Sequence, residues 1–581
     1  MKKIYLFVLF LFPVLLYAQT NFLHTNPLAE PILLGNYNPA DFSPGDSNPL
    51  DPFTVGADVQ ARISADSLKS YILRLSTFEN RNTNSDTVSN TFGIGAARRW
   101  VYDKFSQYSA ANGNRLVVSY FQFDQLICST SRHRNILAVL PGLNPTNNGA
   151  VLIEGHIDSR CVGVCDSACV AEGVEDNATG TALVMELARV MSKYRYNNTV
   201  VFMVTIGEEQ GLYGAAAFAT YAVQKAIPIR AVLNNDVIGG IICGKTSSAP
   251  SCPGLNNIDS TSVRLFSSGG YNSRNKQLAR FIKLQYGENL KPQAFVPMNV
   301  RIMAPEDRTG RGGDHIPFRE KGFAAMRFTS ANEHGDASNT PTYTDRQHSS
   351  RDVLGVDLNN DAVVDSFFVD FNYLARNAMI NGNAAAIAAR GVPDAPGFTA
   401  TRAGNVLTVK FDPPPAAGQT LRVAIRTVTN DWDTVYTVTG LATATFPCNP
   451  SGALFVSLAN TDEWGAESLF GQEKVVTTAT GTLDLNGSNP QQNIRLFQNR
   501  PNPFDEATWI SFWVEKMPVY QEAMLQISDM KGNMVQRIPV SLRQGMNEIL
   551  YTHGYGQQGA FVYTLLVDGQ PVDSRQMIFA N

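Results

Sequence analysis

Apolar positions recur at helical spacing from residue 63, where Leu68, Tyr71, Ile72 and Leu75 share one face. A second helix is predicted over 96–108. Strand-like runs then alternate with helical ones. Residues 116–123, 135–140 and 151–154 predict strands, and 179–194 predicts a helix with Leu183, Leu187, Val190 and Met191 on one side. The alternation continues with a strand at 200–205, a helix at 215–225, a strand at 231–235, a helix at 277–286, a strand at 324–328 and a closing helix at 371–389. Such a pattern predicts an α/β domain: a mostly parallel mixed sheet with helices on both faces.

The pattern shortens at Gly391-Val392-Pro393-Asp394-Ala395-Pro396. Runs at 406–411, 421–426, 434–438 and 454–458, parted by Pro and Gly, predict a small β-sandwich over 392–480. A Gly/Ser/Asn/Gln linker is expected at 481–492. A second all-β sandwich is expected over 493–581, with runs at 509–514, 524–528 and 560–567. Residues 19–57, rich in Pro, Asn, Asp and Gly, read as an extended leader that wraps a domain or stays loose.

Composition changes this picture only at the margins. A chain of 581 residues is expected to form about two to four domains. The net charge of −4, with no basic run, argues against nucleic acid as the main partner. Lys2 and Lys3, the apolar run 4–16 and Tyr17-Ala18-Gln19 read as a signal peptide over 1–18. That run is short for a spanning helix of ~20 residues, and no later segment is long and apolar enough to cross a bilayer. A soluble, exported mature chain with no membrane span is therefore expected. Seven Cys in an exported chain suggest some disulfides and at least one unpaired thiol. Cys243 and Cys252 flank a loop they could close. Cys161, Cys165 and Cys169 crowd between His156 and Asp176, where a disulfide pinning an active-site loop is favoured over a thiolate metal site.

The chemistry is carried by acids and imidazoles at the ends of apolar runs. His156 and Asp158 follow Val151-Leu152-Ile153, Glu208 and Glu209 follow 200–204, and Asp236 follows Ala231-Val232-Leu233. Carboxylates gathered beyond buried strands repel one another and are costly to desolvate, and a divalent cation offsets that cost. In open α/β sheets, sites form at this end of the strands. His156 can bind a metal through one ring nitrogen while Asp158 returns to hold the other. Asp176 opens a helix, where an N-cap role competes with a ligand role. In Gly207-Glu208-Glu209-Gln210-Gly211, one carboxylate can ligate while its neighbour accepts a proton from water. His348 is the favoured last ligand, with His315 and His334 as rivals. Asp357-Leu358-Asn359-Asn360-Asp361 resembles half of a calcium loop, but Ala362 replaces the turn glycine and Phe368 the bidentate Glu, so a surface acidic loop is expected.

Together, Gly155-His156-Ile157-Asp158-Ser159, Asp176-Asn177-Ala178-Thr179-Gly180, Gly207-Glu208-Glu209-Gln210-Gly211, Asn235-Asp236 and Gly313-Asp314-His315-Ile316-Pro317-Phe318 resemble the M28 family of zinc peptidases over roughly residues 58–391. The resemblance implies that His156 and Asp236 hold one zinc ion, Glu209 and His348 a second, and that Asp176 bridges them. It also implies that Glu208 is the general base and that Asp158 orients His156. Gln347, where an aromatic residue is expected, and the Cys-rich insertion after Asp158 depart from the pattern. The implied activity is that of a secreted di-zinc metallopeptidase, most readily an aminopeptidase, whose nucleophile is a water shared by two zinc ions. A one-zinc glutaminyl cyclase and a catalytically inactive surface adhesion or receptor protein are the alternatives. Residues 392–480 resemble a fibronectin type III module. Leu496-Phe497-Gln498-Asn499-Arg500-Pro501-Asn502-Pro503-Phe504 and the segments after it resemble the C-terminal sorting domain of the type IX secretion system of Bacteroidetes. That resemblance implies export through the periplasm to the cell surface or medium, with the secretion machinery as a partner alongside the peptide substrate.

Overall fold

Nine strands form one sheet: β1 (Thr20–His24), β2 (Val117–Ile127), β3 (Thr130–Leu140), β4 (Ala150–His156), β5 (Val200–Thr205), β6 (Ile229–Asn235), β7 (Ser262–Phe266), β8 (Asn299–Ile302) and β9 (Ala325–Ser330). Their order is β1-β2-β3-β5-β4-β6-β9-β7-β8. The computed structural model describes residues 19–43, 52–147, 149–242, 257–308, 311–332, 346–361, 363–427, 429–449, 453–476, 493–504, 507–553 and 558–579. The signal segment 1–18, the linker 481–492, the Cys243–Cys252 loop and His334 lie outside these residues.

The sheet is mixed, and its parallel part is the centre. β5, β4, β6 and β9 run parallel to their neighbours. β1, β2, β3 and β5 pair antiparallel, as do β7 and β9. The antiparallel flank has a local cause: only Cys128 and Ser129 separate β2 from β3, and so short a link forces a hairpin. β4 and β5 are buried along their whole length, as strands covered on both faces must be.

Helices cover both faces. On one lie α2 (Pro52–Arg62), α3 (Ala65–Ser76), α4 (Gly93–Ala111), α5 (Thr179–Met191), α7 (Arg274–Gln285) and α9 (Phe371–Ala388); α6 (Tyr213–Gln224) and α8 (His315–Glu320) pack together on the other. In α5 every residue except Arg189 is buried, because α3, α4 and α9 enclose it against the sheet. Within the expected leader, β1 joins the sheet edge through His24 and Phe121, and α1 (Ala29–Leu33) buries Ala29, Ile32 and Leu33. α2 escapes the periodicity reading, its first half lying in the stretch read as an extended leader, and so do three short elements, β7, β8 and α8. These last three are four to six residues long, and β7 carries a buried arginine, Arg264, in its middle.

Beyond residue 392 the chain forms two further all-β units, each of two antiparallel sheets. In the first, a three-stranded sheet containing Val406–Asp412 faces a four-stranded sheet containing Thr420–Arg426 and Leu454–Asn460, around Leu407, Val409, Phe411, Val423 and Val456. In the second, the sheet containing Ala507–Val514 faces that containing Ala523–Asp529 and Gly559–Val567, around Phe512, Leu525, Tyr563 and Phe579. Among the described residues, no helix is long and apolar enough to cross a membrane.

These units dock on α7 and the loop before it. Glu473 accepts from Arg280 of α7 at 3.2 Å and from Arg426 Nη2 at 2.8 Å, and all three side chains are buried. Its Oε2 also accepts the Asn272 N–H at 3.0 Å. Removing the shared carboxylate strands two buried guanidinium groups, a change that costs about 3–5 kcal/mol. Glu473→Ala is therefore expected to lower the thermal midpoint of the chain and to open the junction to protease. An unchanged melting curve and digestion pattern would show that the junction contributes little.

Candidate metal centre

The central parallel strands all end on one side of the sheet, and the polar residues collect there. His156 is the last residue of β4, Asp236 directly follows β6, and Glu208 and Glu209 stand in the turn after β5. Asp176 precedes α5. The helix does not use Asp176 as its cap: the neighbouring Asn177 Oδ1 accepts from the Gly180 N–H at 2.9 Å, and Asn177 Nδ2 donates to the Asn235 carbonyl at 2.8 Å. A Cβ on Gly180 would collide with that same carbonyl oxygen, so this approach of α5 to β6 requires glycine. The Asp176 carboxylate is thereby left to face the cluster. Asp352 holds its backbone, accepting the Glu175 and Asp176 N–H groups at 2.9 Å each.

The five residues expected to bind metal converge as two groups with a common member. His156 Nε2 lies 3.3 Å from Asp176 Oδ1 and 3.3 Å from Asp236 Oδ1. His348 Nε2 lies 3.0 Å from Asp176 Oδ2 and 3.2 Å from Glu209 Oε2. In each group the ligating atoms all lie within 4.8 Å of one another. Asp176 thus turns one oxygen to each imidazole. The donor set fits zinc: imidazole nitrogen and carboxylate oxygen bind it at ~2.0–2.2 Å, and a tetrahedron of that radius has edges of about 3.3 Å. Each group offers three protein donors, which leaves a fourth position open.

Asp158 is placed differently from expectation. His156 Nδ1 meets the Asp158 backbone carbonyl at 3.1 Å, while the carboxylate is 3.6 Å away. The Asp158 carboxylate instead accepts from the backbone N–H of Glu209 at 3.1 Å, that of Glu208 at 3.4 Å and the Thr83 hydroxyl at 3.2 Å. Two residues of chain let the carbonyl reach the imidazole and free the side chain to hold the Glu208–Glu209 turn. Of the rival histidines, His315 is buried on α8, with Nε2 at 3.2 Å from the Glu306 carbonyl, and belongs to neither ligand group.

Several residues at the site carried no signal that sequence reading used. Arg327, in the buried strand β9, lies 3.3 Å from Asp236 Oδ2 and 2.9 Å from Asp307 Oδ2. Arg160 Nε donates to Glu209 Oε2 at 2.8 Å, and its Nη2 is 2.6 Å from His348 Nδ1. A charged residue inside an otherwise apolar run, as in Ala325–Ser330, is the available signal for Arg327. Arg160 had none, because its place depends on the disulfides Cys128–Cys165 and Cys161–Cys169 that tie down the insertion after Asp158. The Cys trio is thus disulfide-bonded, and among the described residues Cys448 is a free thiol. The Asp357–Asp365 segment is an exposed turn: Asp357 Oδ1 accepts the Asn360 N–H at 2.7 Å and Asp365 Oδ2 the Leu358 N–H at 2.8 Å.

Protonation follows burial and neighbours. Burial raises the Glu208 carboxyl well above its usual range; His156 opposes the rise, and Asp236, Glu209 and Asp314 add to it. Burial would lower His156, but Glu208 and the neighbouring carboxylates of Asp158, Asp176 and Asp236 raise it well above the ordinary imidazole value. Burial pushes Asp314, behind the site, up to about 7. Asp176, Glu208, Glu209, Asp236 and His348 line a cavity of about 390 Å³ whose walls include Arg160, Val164, Leu212 and Arg311. This is a carboxylate–imidazole site at the carboxyl ends of the central parallel strands, with donors that suit a divalent cation.

Comparison with known proteins agrees with that geometry. Residues 135–363 match peptidase family M28. A probable zinc metalloprotease of Leptosphaeria maculans is 32% identical over 331 residues, which cover 55% of this chain and 73% of that protein. Another, of Pyricularia oryzae, is 33% identical over 347 residues, covering 56% and 65%. The LapA aminopeptidase of Legionella pneumophila aligns over 57% of this chain and 73% of its own, at 17% identity and a TM-score of 0.40. The chain belongs to peptidase family M28, a family of zinc metallopeptidases.

Because the Asp158 carboxylate holds the backbone of both glutamates, Asp158→Ala is expected to reduce metal retention or activity by about 10–100-fold. Asp158→Asn, which keeps an acceptor oxygen, should lose less. Metal content after dialysis, with circular dichroism as a control for folding, reads the difference; equal retention in all three proteins would contradict this role.

Proposed function

We propose that the chain is a secreted di-zinc exopeptidase, an aminopeptidase that releases N-terminal residues. The observation that carries this reading is the position of Asp176, one oxygen toward His156 and the other toward His348. A ligand common to two complete half-sites favours two ions over the single ion of a cyclase. His156, Asp176 and Asp236 would hold one zinc, and Asp176, Glu209 and His348 the other. When bound, zinc supplies Lewis acidity, which acidifies water and polarises a carbonyl.

The remaining work falls to side chains. Glu208 lines the cavity beside both half-sites and is placed to take a proton from the attacking water and return it to the leaving amine. Its presence argues against an inactive receptor built on the same fold. Asp158 fixes the turn that carries Glu208 and Glu209. Arg327 stabilises the Asp236 carboxylate from behind. A cavity of about 390 Å³ suits a chain end rather than a long segment.

Export is part of the same proposal. The disulfides Cys128–Cys165 and Cys161–Cys169 suit an oxidising compartment and support it. The unit at 392–480 is read as a fibronectin type III-like spacer. The unit at 493–581 is read as a type IX sorting domain, handled by the secretion machinery of a Bacteroidetes-type cell.

Glu208→Gln is expected to keep both metals and lose about 10²–10⁴-fold in turnover. His348→Ala is expected to lose one metal equivalent on dialysis. Near-full activity in the first, or two retained equivalents in the second, would overturn these assignments. Peptides with a free amino terminus and an amidated carboxyl terminus should be shortened stepwise in a chelator-sensitive, zinc-restored reaction, and acetylated peptides should resist. The reverse pattern would make the enzyme a carboxypeptidase.

A further inference from the structure

The arginines that line the cavity are paired with carboxylates of the chain, with one exception. Arg327 is shared between Asp236 and Asp307, and Arg160 pairs with Glu209. Arg311 is half-buried in the same wall, and no carboxylate among the described residues lies within ion-pair distance of it. Its partners are neutral or shared: Nη2 donates to Gln347 Oε1 at 3.0 Å, and Nη1 stands 3.4 Å from His348 Nδ1. It is therefore one imidazole ring away from the Asp176–Glu209 half-site. Gln347 stands where an aromatic residue was expected, and its amide oxygen holds the guanidinium toward the cavity.

A guanidinium presents a planar fork of donors that matches a carboxylate, and it keeps its charge at any working pH. Beside a metal centre, a guanidinium with no carboxylate partner attracts an anionic group of the substrate. From this we infer that the enzyme selects substrates bearing a carboxylate close to the scissile bond, with Arg311 as the residue that binds it. The inference rests on the metallopeptidase reading and adds its substrate class. The carboxylate has two possible sources: an acidic side chain on the residue released, or the α-carboxylate of a very short peptide. Val164 and Leu212, in the same wall, leave room for an apolar stem behind the charged head.

The test uses the zinc-loaded full chain. Glutamyl and glutaminyl p-nitroanilides differ only in a side-chain carboxylate, and Ala-Ala and Ala-Ala-amide only in a terminal one. The expected result is a kcat/KM preference of about tenfold or more for the acid in one pair, which identifies the source. In Arg311→Gln that ratio should fall toward one. In Arg311→Lys it should keep its direction, whatever either change does to absolute rates. Calorimetric binding of succinic monohydroxamate against butyrohydroxamate should show the same preference without turnover. Hydrolysis with no preference for an acid, or a preference that survives Arg311→Gln, overturns the inference and leaves the peptidase reading standing. A protein that takes up no zinc and cleaves none of the four substrates overturns both.

Discussion

One carboxylate between two imidazoles is the constraint on which the rest of the site depends. Asp176 faces His156 with one oxygen and His348 with the other, and no other residue among those described belongs to both ligand groups. Holding it there takes a rigid backbone. Asp352 grips the two preceding N–H groups, Asn177 ties the turn to β6, and Gly180 allows α5 to come close enough for that tie. Four acids then face one buried space: Asp176, Glu208, Glu209 and Asp236. Mutual repulsion and lost hydration make such a cluster unfavourable in a bare protein. Cations held by the cluster would offset that cost.

Some of that compensation is built into the chain. Arg327 sits inside a fully buried strand, where a charge is costly unless paired, and it is shared by Asp236 and Asp307. Arg160 performs the same task for Glu209 from the opposite wall, on a segment fastened by two disulfides. Behind His156, burial drives Glu154 well above the usual carboxylate range and Asp314 up to about 7. Burial thus disfavours the charged form of both carboxyls at the back of the site. The acids that could hold a cation thus face the cavity, and the Arg327–Asp307 pair stands behind Asp236.

Much of this was legible in the sequence, for a physical reason. Strands buried on both faces are nearly pure in apolar residues, so a carboxylate or imidazole at their end stands out; His156, Glu208, Glu209 and Asp236 are legible that way, and the five residues expected to bind metal lie together. Asp176 and His348 depended more on family resemblance, since an acid before a helix also reads as a cap. What the sequence could not carry was long-range pairing. Asp158 appeared to serve His156, yet its carboxylate serves the Glu208–Glu209 turn across half a hundred residues. The pairing of Arg160 with Glu209, the Asp352 grip on Asp176 and the sharing of Arg327 are likewise contacts between distant segments with no local period. Short elements such as β8 and α8 are missed for a related reason: four to six residues do not establish a repeat.

The position of the β-units relative to the site bears on what they do. Every residue lining the catalytic cavity comes from the α/β domain. The β-units instead dock on α7, the loop before it and the loop after β8, where Trp509 Nε1 donates to the Ala304 carbonyl at 2.9 Å and Tyr271 packs on Phe455. β8 is the terminal strand of the sheet, and an edge strand left bare invites pairing with other chains. The Trp509 bond lies two residues past the end of that strand, next to the edge rather than at the parallel centre. The described contacts of the β-units are therefore made away from the residues that line the cavity, and the α/β domain alone supplies the walls of the site.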